Sequence, residues 1–167
     1  MKTIELEKFI QNLSTELYSF AFILIPDDLQ ATQLMIDSVS AFIIKNKYLV
    51  EKWKGASGTE ITSHSQDIKI HLYKAMYDLS KKRYGQLRLS FKDIEDKSGF
   101  FSLEFDDKAV LFLKERSEFS QELIEFILGK SRGEILAHLY SARISMVGKL
   151  PRRLDKFDGQ NQYRNHN

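Results

Sequence analysis

Residues 120–143 read SQELIEFILGKSRGEILAHLYSAR. Leu123, Ile124, Ile127 and Leu128 recur at helical spacing and predict a short helix that ends at Gly129. Glycine takes the left-handed conformation that closes many helices without a Cβ clash. Ser131 and Glu134 then stand at the spacing of a capping box, in which each side chain satisfies a free backbone N–H at the start of a helix. A second helix therefore begins at once, with Ile135, Leu139, Ala142, Met146 and Leu150 along one side. Two helices joined by a tight Gly-containing turn make a helix-turn-helix, whose second helix can lie in the major groove of DNA. The same spacing also suits a plain helical hairpin inside a bundle.

Reading outward, Lys108–Glu115 is a further helical stretch carrying Val110, Leu111 and Leu113. Before it, residues 93–107 hold six carboxylates (Asp93, Glu95, Asp96, Glu104, Asp106, Asp107) against one lysine, Lys97. This run reads as a solvated linker. Upstream, Ile68, Leu72, Met76 and Leu79 predict a helix from about Asp67 to Gln86, with a basic end at Lys81, Lys82, Arg83 and Arg88. Cations at a helix C-terminus suit its dipole, and they also suit an acidic partner. Residues 51–66 contain Gly55, Gly58 and several Ser and Thr, and read as an irregular loop with Trp53 near its start. The chain opens with an amphipathic helix from Ile4 to Leu24, which Pro26 stops by disfavouring helical geometry at Ile25. Asp27 or Asp28 caps the next helix, which carries Leu34, Met35, Val39, Phe42 and Ile43 and runs out near Lys45–Lys47.

The expected architecture is all-α. It comprises a helical bundle over residues 1–86, an acidic linker over 87–107, a helix-turn-helix domain over 108–151 and a polar tail over 152–167. A chain of 167 residues has room for two such units. Its 25 Lys and Arg against 23 Asp and Glu leave +2, which names no partner. The charge is segregated, however: residues 78–92 carry five cations and one anion, and 93–107 six anions and one cation. The absence of cysteine excludes disulfides, thiolate-bound zinc, Fe–S clusters and thiol catalysis. The four histidines form no pair at metal-ligand spacing, and no Gly-rich loop follows a strand. No catalytic residue, metal or cofactor is expected, and the chain does not read as an enzyme. Its longest apolar run, Phe20–Pro26, is too short to cross a bilayer, and its N-terminus has no signal pattern. A soluble, cytoplasmic protein with no membrane insertion is expected.

Several motifs in order resemble the extracytoplasmic-function sigma factors, small bacterial transcription initiation proteins built from two helical domains. Ser120, Glu122, Ile124, Ile127, Leu128, Gly129, Ser131, Gly133, Ile135, Leu139, Ala142 and Arg143 match the pattern of the family's region-4 helix-turn-helix. Leu17-Tyr18-Ser19-Phe20-Ala21, the Pro26-Asp27-Asp28 turn, and Leu72 to Arg83 with Asp78 and its basic end match the family's region 2. The likeness spans roughly residues 13–150.

The resemblance implies RNA polymerase core and promoter DNA as partners, with an anti-sigma protein as a further candidate. It implies polymerase contacts at Gln33, Leu34, Ile36 and Asp37. It implies DNA contacts at Lys130, Arg132, Glu134, Leu136, Ala137, His138, Ser141 and Arg143, and in the first half at Tyr73, Lys74, Lys81, Lys82 and Arg83. Trp53, Tyr73, Tyr77 and Tyr84 are aromatics that can stack on unpaired bases or belong to the core. The departures from the family pattern fall on polar, exposed positions. Where the family has Thr, Lys, Ser, Arg and Arg on the second helix of the motif, this chain has Glu134, Leu136, Ala137, His138 and Ser141. Losing three cations weakens phosphate attraction. Two expectations therefore stand together: a working sigma factor of a divergent kind, and a degenerate sigma-like module that has lost promoter reading and acts through protein partners.

Overall fold

The computed structural model describes residues 2–87, 89 and 99–147, with side chains from residue 5. Every regular element among them is helical. Helix α1 (Lys2–Leu24) is followed by α2 (Asp28–Lys45), α3 (Lys47–Gly55), α4 (Thr59–Leu87), α5 (Phe105–Leu111), α6 (Gln121–Leu128) and α7 (Arg132–Val147). Asp93, Glu95, Asp96 and the tail from residue 148 lie outside the described residues.

Local chemistry accounts for most of the boundaries. Asp27 is extended and accepts a hydrogen bond from the Gln30 N–H at 2.8 Å, capping α2. Ser120 accepts from the Leu123 N–H and caps α6. Residues 51–66 are not the loop that their composition predicts. Residues 51–55 complete α3, where Leu49 and Trp53 are both buried, with the Trp53 ring 5.1 Å from Phe9. Residues 59–66 are the first turns of α4. Their start is marked by the Ser57 N–H donating to the Glu60 carboxylate, while Gly58 takes φ +57°. Helix α5 runs directly into one π-type turn over Phe112–Arg116, closed by the Ser117 N–H donating to the Phe112 carbonyl at 3.1 Å.

Both halves of the sequence contribute to one hydrophobic core. Fully buried Phe20 on α1 stacks at 5.0 Å from Tyr73 on α4 and at 5.4 Å from Phe112, which follows α5. Tyr73 in turn meets the edge of Phe119 at 5.2 Å, just before α6. Further along the same face of α4, Phe105 packs against Tyr77 at 5.8 Å and Tyr84 at 4.8 Å. Aromatic pairs at these distances add specific geometry to a large buried area. Helices α5 to α7 therefore rest on α1 and α4, and the surfaces of the two halves that face each other are shared interior.

Candidate functional site

Helices α6 and α7 form the helix-turn-helix, and its turn is built as the residue types dictate. Gly129 has φ +60°, and the Lys130 N–H returns to the Glu125 carbonyl. The Ser131 N–H donates to the Glu134 carboxylate at 2.8 Å, and the Glu134 N–H returns to the Ser131 hydroxyl at 3.4 Å. These bonds from Ser131 hold the Glu134 carboxyl below its usual range. Glu134 thus closes a helix end, an arrangement in which its charge also suits the helix dipole. A Cβ at position 129 would meet only the Lys74 ammonium, at an ordinary 3.9 Å. Gly129→Ala should therefore cost only the left-handed backbone, about 1–2 kcal/mol. A urea titration will measure this, and an unchanged midpoint would contradict it.

Ile135, Leu139 and Ala142 bury one side of α7. On its flank, His138 Nδ1 lies 2.7 Å from Asp107 Oδ1, and the Ser141 hydroxyl donates to Asp107 Oδ2 at 2.8 Å. The opposite face of α7 presents Leu136, Tyr140, Ile144 and Val147, at helical spacing and all exposed. Ala137 and Arg132 are also exposed, and Arg143 is ion-paired with Glu115.

Asp106 joins the two halves. It accepts from the Tyr77 hydroxyl at 2.5 Å and pairs with Lys130 at 2.9 Å, with Lys81 at 3.8 Å. Burial raises its carboxyl pKa, but Tyr77, Lys130 and Lys81 outweigh that and hold it below the ordinary value. Burial, reinforced by Asp106, pushes the Tyr77 phenol upward. The carboxylates at 106 and 107 are therefore not a solvated linker pair: Asp107 is buried and Asp106 largely so. Desolvating them is tolerable because each oxygen meets a donor or cation.

On α2, Ile36 is half-exposed and Gln33 is exposed, with its amide donating to Asp37 at 2.8 Å. Asp37 is ion-paired with Arg83 of α4, and that pairing keeps its carboxyl below the usual range. Leu29, Ile43 and Ile44 are exposed along the same helix. Beside them, Ile10, Met35, Ile36 and Val39 line an apolar groove of 250 Å³ between α1 and α2.

Some expected contact residues are corrected by their burial. Leu34 is fully buried, whereas Gln33 and Ile36 are exposed and Asp37 is half-buried. Tyr73 is also fully buried, with its hydroxyl on Glu16 at 2.7 Å, and Trp53 and Tyr77 are core residues. Lys74 pairs with Asp78 at 3.5 Å, whereas Lys81 and Lys82 remain exposed. Sequence reasoning missed Asp106 and Asp107 as organising groups. It also missed Tyr140, Ile144 and Val147, whose period along α7 was available as a signal.

No protein-family model, curated protein or solved structure matches the chain. Among the described residues, no group of His, Asp and Glu could hold a metal ion, and no helix is long and apolar enough to cross a membrane.

Proposed function

We propose that the chain is a sigma-factor-like transcription initiation protein, not an enzyme, that binds RNA polymerase core in the cytoplasm through α2 and directs it to promoter DNA. The observation that carries this reading is the exposed apolar row Leu29, Ile36, Ile43 and Ile44 on a helix whose other side is fully engaged in the core. Exposed apolar side chains beside a groove suit a protein partner, and one of them, Ile36, is among the positions that the family resemblance gives to polymerase. The capped helix-turn-helix, together with exposed cations at Arg132, Lys81 and Lys82, supports contact with DNA.

One observation favours the degenerate alternative. The outward face of α7 is apolar at Leu136, Tyr140, Ile144 and Val147, where a groove-reading helix needs donors and cations. Lys130 and Arg143 are already engaged by Asp106 and Glu115. In that reading polymerase binding is kept, promoter reading is lost, and α7 offers its row to a second protein, an anti-sigma protein being one candidate.

Reconstitution with polymerase core on a genomic fragment library separates the two. Promoter-dependent transcripts are expected of a working sigma factor, while core binding without transcripts favours the alternative. A direct DNA reader with about six phosphate contacts should lose affinity with a log–log salt slope near −5. A flat response contradicts promoter contact.

A further inference from the structure

We propose that the cleft between α2, α4 and α6 is a binding site for a small aromatic oxyanion, a single ring carrying a carboxylate or a phosphate. The cleft encloses 230 Å³ and is distinct from the exposed rows on α2 and α7. Its floor is apolar, made by Ala41 of α2 with Ala75 and Leu79 of α4. Three lysines rim it: Lys45 from the last turn of α2, and Lys74 and Lys82 two turns apart on α4. Asp78 is the one acidic residue in the lining and is paired with Lys74 at 3.5 Å. Lys45 and Lys82 are exposed and make no ion pair among the described residues. The cleft therefore carries surplus positive charge that an oxyanion satisfies.

The ring requirement comes from α6. Phe126 closes the cleft, is 41% exposed, and stands edge-on to His71 at 5.0 Å with Lys74 at 5.9 Å from its centre. An aromatic at a cationic rim offers a face for stacking a planar group whose charge meets the lysines. Size decides among aromatic anions. Pockets for drug-sized ligands occupy roughly 300–1,000 Å³, so this cleft takes a single ring in preference to a nucleotide. Because Phe126 belongs to the helix-turn-helix and the lysines to the first half, a ligand here bridges both and stabilises their packing by mass action. None of this depends on polymerase or DNA binding.

Isothermal titration of the full chain tests the proposal, with benzoate and phenyl phosphate as probes. Acetate and inorganic phosphate test charge alone, and benzyl alcohol tests the ring alone. At least one aromatic probe should bind one-to-one with Kd at or below about 1 mM, and the tighter of the two identifies the preferred oxyanion. The ring-free and charge-free controls should bind about tenfold more weakly or not at all. Lys82→Glu and Phe126→Ala alter exposed positions, so both should keep the circular dichroism of the native chain, and each should weaken the aromatic probe by about tenfold. The proposal is overturned if neither aromatic probe binds, if acetate or inorganic phosphate binds equally well, or if both variants retain native affinity.

Discussion

Phe20→Ala is expected to destabilise the whole chain, not only its first half, by about 3–5 kcal/mol. Phe20 is fully buried and lies between Tyr73 and Phe112, rings contributed by residues far apart in sequence. Truncation removes the transfer energy of a phenyl group and leaves a cavity where α1, α4 and the turn after α5 meet. Folded domains hold a net stability of only about 5–15 kcal/mol, so the loss is a large share. The informative readout is amide hydrogen exchange resolved by helix, beside a urea titration. Protection should fall together in α2, α4, α6 and α7, because one core serves both halves. Unchanged protection in α6 and α7 would mean that the halves are stabilised independently, contrary to the packing.

Asp106→Ala is expected to cost about 2–3 kcal/mol at neutral pH. Removing one partner of a fully buried ion pair costs about 3–5 kcal/mol. Asp106 keeps 19% of its side-chain exposure and Lys130 14%, so water moderates the loss. The Tyr77 hydroxyl would also lose its acceptor. Asp106→Asn keeps the volume and an oxygen for Tyr77 but not the charge for Lys130 and Lys81, so it should cost less. The folded carboxyl is held below its ordinary value of about 3.9. A carboxyl lowered by folding contributes stability that is fully present above its unfolded value and is lost as pH falls through the folded one. The stability gap between the native chain and Asp106→Asn should therefore be constant from pH 7 to about 4 and narrow below that. Urea midpoints measured across this range provide the check. A gap that persists unchanged well below pH 4 would contradict the ionic role.

How far the sequence alone reaches depends on whether the deciding interaction is local. The turn at Gly129, the Ser131–Glu134 box and the Asp27 cap are short-range hydrogen-bond problems, and each is readable from residue type and spacing. Helix α3 and the first turns of α4 were hidden by their Ser, Thr and Gly content. Yet Ser57 and Glu60 repeat the spacing of Ser131 and Glu134, and Leu49 and Trp53 stand one turn apart. Asp106 and Asp107 could not be read locally, because an acidic residue in a polar run looks solvated until its partners arrive from elsewhere. Those partners are Tyr77, Lys81, Lys130, His138 and Ser141. The shared core has the same origin, since Phe20 and Tyr73 meet Phe112 and Phe119 only after long-range packing. On α2, residue type could not separate buried Leu34 from half-exposed Ile36, since both are apolar and only packing decides which side faces out.

Docking of α2 on polymerase is tested most directly by titrating the labelled chain with RNA polymerase core, in competition with that polymerase's principal sigma factor. Saturable binding with Kd below about 1 μM is predicted, with full displacement by the competitor. Ile36→Glu places a charge in the middle of the apolar row and should weaken binding about tenfold or more, while Ser141→Arg on α7 should leave it unchanged. Absence of binding at micromolar core, or equal affinity of the native chain and Ile36→Glu, would contradict polymerase docking through α2.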